Sequence, residues 1–251
     1  MTDKKRRKKL IIIIPIIVVI LALIITLLCI IFGDPYRGIY KEVAAADREQ
    51  FVEENLKKLD ALEDFKTFKL TFKAKTGEGW DGGGKATEIE IKILVDGNIL
   101  RAEITSKAPI KYTATVWIDN ETEDTYYKVN VNGKTEEGKF APGKEYSDEI
   151  YDAVYSIQGY GTPISGVNSI KSFLKDENAK LYSYRNKLKT VDSEIDKNKN
   201  GFKSETYFIF ESNGAYRWKN VYTSYANGKV FGTICQEMKS SSEKVTIPNF
   251  D

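Results

Sequence analysis

The chain has 251 residues, of which 41% are hydrophobic and 29% are charged, and its formal net charge is +2. It contains no histidine, which excludes Ser-His-Asp triads, Cys-His dyads and histidine-ligated zinc or iron sites. The charge is unevenly distributed, because residues 1–9 carry +5 whereas residues 33–251 hold 32 basic and 35 acidic side chains. The basic character belongs to a short N-terminal tail, so it does not favour nucleic-acid binding.

Residues 10–32 form an uninterrupted apolar run, LIIIIPIIVVILALIITLLCIIF. About 20 helical residues cross the ~30 Å core of a bilayer, so this run predicts a single transmembrane helix. Basic residues are concentrated before the run, which predicts a cytoplasmic N-terminus and an extracytoplasmic C-terminal region. The residues that set this topology are Lys4, Lys5, Arg6, Arg7, Lys8 and Lys9.

Two alternatives to a permanent anchor remain open for this segment. A cleaved signal peptide usually has an apolar core of ~7–15 residues, which is shorter than this run. Lipoprotein processing at Cys29 requires a small residue before the cysteine, whereas Leu28 is large. A transmembrane anchor that contains Cys29 as an ordinary helix residue fits the sequence better than either alternative.

The sequence predicts four segments. They are a basic cytoplasmic tail over residues 1–9, a transmembrane helix over 10–32, a juxtamembrane linker over 33–40 and one extracytoplasmic domain over 41–251. The predicted fold class is α+β. We expect a curved, mostly antiparallel β-sheet with a helix at its N-terminus and a helical insertion in the middle of the chain.

The first half of the outer domain changes from a helical to a strand pattern. Apolar residues at three- and four-residue spacing predict an amphipathic helix over residues 43–62. From Phe65 the apolar residues alternate with polar ones, as in half-buried strands. Five such strands follow one another, and Asp-Gly at 96–97 and Asn-Gly at 132–133 are typical of two-residue hairpin turns. This pattern predicts an antiparallel meander.

The second half contains a helical interruption and then more strands. Ser147 has the residue type of a helix N-cap and precedes a short predicted helix that ends near residue 159. Residues 169–174 predict one more short helix. Strands resume over residues 180–238, separated by turns that include two Asn-Gly pairs. The lack of regular strand–helix alternation favours an antiparallel sheet.

Three short motifs are typical of ligand sites, and each has a simpler structural interpretation. Residues 77–82 match G-x-G-x-x-G, but a strand follows them where a dinucleotide site needs a helix N-terminus. Residues 196–201 resemble half of an EF-hand loop, but Tyr207 stands where the calcium-binding glutamate belongs. Residues 120–122 form an N-glycosylation sequon, which matters only in a eukaryotic secretory pathway, whereas the Lys, Ile and Asn content is typical of a bacterial chain. We therefore predict no cofactor and no metal.

The sequence shows no recognisable catalytic constellation, so we do not expect an enzyme. A Ser-Lys dyad is compatible with the lack of histidine, but no serine lies in a recognisable nucleophile elbow. Tyrosines are more informative, because they are concentrated in the second half of the chain. Such rings bind carbohydrate or peptide in many proteins, but they also pack well in strands.

Residues 55–62 (NLKKLDAL) lead into residues 65–72 (FKTFKLTF), and residues 126–134 (YYKVNVNGK) occur later in the predicted meander. With the order of helix, meander, helical interruption and further strands, this pattern resembles the LolA/LppX-like superfamily of extracytoplasmic lipoprotein carriers and lipid-binding lipoproteins. The resemblance covers most of residues 41–250. It implies a half-barrel whose helices cover an apolar cavity. The chain departs from the superfamily in its anchor, because a tethered protein cannot shuttle across a periplasm.

Two functions follow from these observations. In the first, a single-pass membrane-anchored protein holds a lipid or other apolar ligand in a half-barrel cavity outside the cell membrane. In the second, the domain has a packed core and presents its surface to an envelope protein or polymer. The bilayer is a partner in both cases, and nucleic acid is a partner in neither. The candidate cavity residues, which are plain core in the second case, are Phe68, Leu70, Phe72, Ile89, Ile91, Ile93, Val116 and Ile118.

The predicted topology leaves the domain outside the cell. Protease added to intact cells should therefore remove a C-terminal epitope, as followed by immunoblot, while a cytoplasmic marker protein stays intact. An epitope that survives until the cells are lysed would show that the predicted orientation is wrong.

Overall fold

The computed structural model describes residues 34–36, 38–60, 67–78, 85–157, 171–211 and 215–250. The predicted cytoplasmic tail and transmembrane helix lie outside the described residues, as do the predicted loop over 159–166 and the 213–214 turn. Within the described ranges, no helix is both long and apolar enough to cross a bilayer. In the unit that precedes the sheet, the backbone N–H of Tyr36 donates to Oδ1 of Asp34 at 2.9 Å.

Tyr40–Asp251 form one compact unit around an antiparallel sheet, in which twelve strands are described. The strands are β1 Lys41–Glu42, β2 Thr67–Thr76, β3 Thr87–Asp96, β4 Ile99–Ala108, β5 Tyr112–Asp119, β6 Asp124–Val131, β7 Lys134–Phe140, β8 Lys180–Tyr184, β9 Lys187–Ile195, β10 Gly201–Phe210, β11 Tyr216–Ala226 and β12 Lys229–Ser240. Their spatial order is β1-β8-β9-β10-β11-β12-β2-β3-β4-β5-β6-β7, which leaves the sheet open at β1 and β7.

The helices are few. A short 3-10 turn over Ala45–Asp47 leads into helix α1, Arg48–Asp60, and helix α2 covers Asp148–Tyr155. Residues 171–175 are also helical. The α+β class and the mostly antiparallel sheet are therefore confirmed.

One face of the sheet, called the inner face below, is buried against the helices. In β2 the alternation places Phe68, Leu70 and Phe72 inward and the intervening lysines and threonine outward. A row of inner-face residues runs in register across eight strands: Phe208, Trp218, Met238, Leu70, Ile93, Ala102, Val116 and Tyr127. All of them belong to one core cluster that also contains Leu59 of α1 and Val154 of α2. The open sheet is curved, and its two halves share this core.

The two helices contact different parts of the inner face. Helix α2 lies over β5 and β6, where the Tyr112 hydroxyl donates to Oδ2 of Asp152 at 2.7 Å. Burial and the Asp152 carboxylate both raise the pKa of Tyr112, so this phenol remains a donor at neutral pH. Helix α1 reaches β10, where the Lys58 ammonium lies 5.8 Å from the centre of the Phe210 ring.

The structure corrects the predicted elements in two places. The helix predicted over 43–62 begins as a 3-10 turn, because Ala44 at the N-cap has no side-chain acceptor for the first backbone N–H groups. The meander has six strands instead of five, since β7 follows β6. Its sequence, KTEEGKF, lacks apolar alternation because it is an exposed edge strand, where charges discourage pairing with other chains.

The C-terminal residues 241–250 form no strand and cross the outer face of the sheet. There Val245 and Phe250 cover Leu94 and Trp117 in a small second apolar cluster. Asp96 holds this segment against the sheet. Its carboxylate accepts hydrogen bonds from the Lys244 ammonium at 3.0 Å and from the Val245 backbone N–H at 3.2 Å. The C-terminal segment therefore covers part of the outer face.

Two valines in strands provide a matched test of this core. Val116 is fully buried on the inner face, whereas Val230 is 62% exposed near the start of β12. We expect Val116→Ala to lower the free energy of unfolding by about 2 kcal/mol, because it removes two packed methyl groups. Val230→Ala should change it by less than about 0.5 kcal/mol. Urea denaturation measures both, and equal losses would contradict the assignment of the inner face.

Candidate functional site

The structure brings together all eight residues of the predicted cavity on the inner face of β2, β3 and β5. Six are buried, while Ile89 and Ile118 are partly buried and pack against the same cluster. That cluster includes Leu59, Ile150 and Val154, which the protein's own helices contribute. The predicted cavity residues therefore belong to a packed core that the protein's own helices complete.

The other half of the inner face, on β9 to β12, carries polar residues beside the buried apolar ones. One row in register runs through Thr190 of β9, Thr206 of β10, Asn220 of β11 and Gln236 of β12. The same row continues into β2, β3 and β4 as Phe72, Ile91 and Ile104. The row thus changes from hydroxyl and amide side chains to apolar ones between β12 and β2. We call Thr190, Ser204, Thr206, Asn220, Tyr222 and Gln236 the polar band.

Hydrogen bonds hold the centre of the polar band. The Asn220 side-chain amide donates to Oγ1 of Thr206 at 2.8 Å and to Oγ of Ser204 at 3.0 Å. Thr206 is 2% exposed and Thr190 is 4% exposed, whereas Asn220 and Gln236 are half-buried. The two threonines are therefore the most deeply buried members of the band, and the two amides are more exposed to solvent.

Aromatic rings border the polar band. Tyr222 stacks on Phe202 with ring centres 5.4 Å apart and an interplanar angle of 15°. Asp192, which is exposed, lies in register with Ser204 at the outer end. Ser224, on the same strand as Tyr222, has a buried Oγ with no hydrogen-bond partner in the part of the chain described. The band therefore combines a ring surface with donors and acceptors, as sites for polar ligands do.

The tyrosines of the second half do not form one surface. Only Tyr222 and Tyr216, with Trp218, lie on the inner face of β11. Tyr151 and Tyr155 stack on each other at α2, beside the β7 edge. The polar band was not predicted, because its members lie on different strands and each is isolated in the sequence. The sequence contained one signal for the polar band, because hydroxyl and amide residues occupy inward positions of the strands beside Phe208 and Trp218.

Two of the sequence motifs have structural roles, and Cys235 is a half-buried free thiol. Asp196 accepts the backbone N–H groups of Asn198 and Asn200, both at 2.8 Å, and so closes the β9–β10 turn. Gly77 donates its N–H to the Phe231 carbonyl at 3.0 Å, and residues 79–82 of the glycine motif lie outside the described residues. Burial raises the pKa of the half-buried Cys235 thiol, which keeps it protonated at neutral pH.

The sequence matches no protein-family model and no curated protein. Within the described ranges, no group of three or more aspartate, glutamate or cysteine side chains is placed to hold a metal ion. The buried threonines, the hydrogen-bonded Asn220 amide and the Phe202–Tyr222 pair make the polar band the candidate site.

A double-mutant cycle tests whether the polar band is a connected network. Thr206→Val should lower the free energy of unfolding by about 1 kcal/mol, and Asn220→Ala by about 1–3 kcal/mol, because each leaves a partly buried polar group without its partner. The double variant should lose less than the sum, by at least about 0.5 kcal/mol.

Asn130 and Thr135 provide the control, because their side chains form the same 2.8 Å bond at an exposed position. We expect Asn130→Ala and Thr135→Val to have small, additive effects. Additive effects for Asn220 and Thr206 as well would contradict a connected band.

Proposed function

We propose that this protein is a single-pass membrane-anchored binding protein outside the cell membrane, and that its polar band binds a glycan of the cell envelope. The observation that carries this proposal is the row in which Thr190, Thr206, Asn220 and Gln236 replace the apolar residues of the neighbouring strands. A buried sheet face normally stays apolar, because polar groups cost free energy there unless they are bonded.

The chemistry of the band suits a ligand rich in hydroxyl and amide groups. Asn220 is oriented by Thr206 and Ser204, so its amide is already fixed before a ligand arrives. The Phe202–Tyr222 pair supplies a flat apolar surface on which the C–H face of a sugar ring packs. We expect no chemical step at the band, which would hold the polymer without cleaving it.

The packing of the other half favours this proposal over a lipid cavity. Ile150, Ala153 and Val154 of α2 are fully buried in the same cluster as the predicted cavity residues. An acyl chain in that place would have to displace α2 from the sheet, including the Tyr112–Asp152 hydrogen bond. In this proposal, the domain that resembles the LolA/LppX-like superfamily in sequence pattern has a packed core and binds a different ligand.

Co-sedimentation with insoluble bacterial peptidoglycan tests the proposal, using the full chain in a mild detergent. We expect the chain to sediment with peptidoglycan, and Asn220→Ala and Tyr222→Ala each to weaken binding about tenfold or more. The matched controls are Asn130→Ala and Tyr155→Ala, since Tyr155 is 53% exposed at a distant position. Equal losses in controls and site variants, or no binding at all, would overturn the glycan assignment.

Native mass spectrometry of the same preparation separates the two functions of the sequence analysis. The proposal predicts a gently extracted protein whose mass equals that of the polypeptide. A stoichiometric lipid bound within the folded domain would instead support the half-barrel cavity.

A further inference from the structure

Two amide side chains of the polar band are direct neighbours on adjacent strands. Asn220 of β11 and Gln236 of β12 lie in register on the inner face, which places their Cβ atoms about 5 Å apart. Both residues are half-buried, so solvent reaches them. The two side chains can therefore contact the same group of a ligand.

Hydrogen bonds orient Asn220 and leave part of each amide unpaired. The Asn220 side-chain nitrogen donates to Oγ of Ser204 at 3.0 Å and to Oγ1 of Thr206 at 2.8 Å, which uses both of its hydrogens. Its carbonyl oxygen Oδ1 accepts no hydrogen bond from any group in the described ranges. The Gln236 amide has no partner among the described residues, so it keeps both a donor and an acceptor.

A secondary amide of a ligand would complement these two side chains. Its N–H would donate to Oδ1 of Asn220, and its carbonyl would accept from Nε2 of Gln236. Asn220 and Gln236 do not bond to each other. A secondary amide bridges such a gap better than a hydroxyl, because its N–H and C=O are on different atoms.

A ring surface lies beside the two amides. Tyr222 occupies the next inward position of β11 after Asn220, about 7 Å along the strand, and its ring stacks on Phe202. A sugar ring that packs on Tyr222 could therefore extend a substituent to Asn220 and Gln236. This arrangement favours an amide carried by a sugar, which is an acetamido group, over the amide of a peptide backbone.

The charges on these strands disfavour an anionic ligand. In β9, β10, β11 and the part of β12 from Gly232 onward, every lysine and arginine lies at an outward position. Two carboxylates, those of Asp192 and Glu194, lie at exposed inward positions of β9. The Lys58 ammonium of α1 lies over Phe210, at the other end of β10. A polyanion on the polar band would therefore be repelled by carboxylates and would gain no cation from these strands.

We infer that the polar band selects an uncharged N-acetylated hexosamine, with the acetamido group bound between Asn220 and Gln236 and the sugar ring on Tyr222. This inference rests on the proposed glycan binding and names the sugar that the band recognises. Gln236 is then a specificity-determining residue.

Titration calorimetry of the full chain in mild detergent tests the inference with three soluble sugars. Chitotetraose carries acetamido groups, and cellotetraose has the same backbone with a hydroxyl in place of each of them. We expect chitotetraose to bind at least about tenfold more tightly, because the amides of the band lose their partner in cellotetraose. A hyaluronan tetrasaccharide, which combines N-acetylglucosamine with sugar carboxylates, should bind about tenfold more weakly than chitotetraose.

Gln236→Leu tests the role of the glutamine itself. Because Gln236 lies in register with Phe72, leucine suits its surroundings and the variant should fold. We expect it to weaken chitotetraose binding about tenfold and to leave cellotetraose binding unchanged, since only the acetamido group uses the lost donor. The control is Gln50→Leu on the exposed surface of α1, which should change neither affinity. An equal loss for both sugars in Gln236→Leu would indicate a structural role and overturn the assignment.

The remaining outcomes separate this inference from the proposed function. A chain that sediments with peptidoglycan but does not prefer chitotetraose to cellotetraose would overturn the inference alone. A chain that binds neither sugar nor peptidoglycan would overturn the glycan proposal as well. Binding of a sugar-free stem peptide in place of chitotetraose would assign the ligand amide to a peptide and overturn the inference. Hyaluronan binding equal to that of chitotetraose would overturn the selection of an uncharged sugar.

Discussion

The alternation of side chains along each strand is the constraint on which this structure depends. Because successive residues point to opposite faces, one strand contributes to two unrelated surfaces. In β11, Trp218 and Asn220 face inward, whereas Arg217 and Lys219 face outward. Antiparallel pairing then aligns such residues into rows across the sheet, so a row brings together residues that no sequence motif contains. A one-residue shift in register would exchange the two faces, so the packing of the inner face also fixes the outer one.

The inner face has two parts that differ in their side chains and in what packs on them. Helices pack on the apolar part of the inner face. The hydrogen bond from Tyr112 to Asp152 joins the sheet to helix α2. The polar band contains the hydroxyls of Ser204 and Thr206, which accept hydrogen bonds from the Asn220 side-chain amide.

Much of the fold was predictable because periodicity is a local signal. The strands from Phe65 onward, the hairpin turns and the helix around Ser147 follow from residues close together in the chain. β7 was missed because both of its faces are polar, and the two-residue β1 is too short to show a pattern. Alternation placed Phe72 and Ile91 on one face but did not reveal what packs there, since the helices are distant in sequence. The polar band was hidden for the same reason, because Thr190 and Gln236 become members of one row only through register.

If the polar band is the ligand-binding surface and the rest of the inner face is packed core, a ligand should protect only the strands that carry the band. Hydrogen exchange of the full chain in nanodiscs, with and without soluble peptidoglycan fragments, tests it most directly. The account predicts that added fragments protect backbone amides in β9 to β12 and leave the exchange of β2 to β6 unchanged. Protection confined to β2 to β6, or displacement of α2 by the ligand, would contradict it and indicate a cavity beneath the helices.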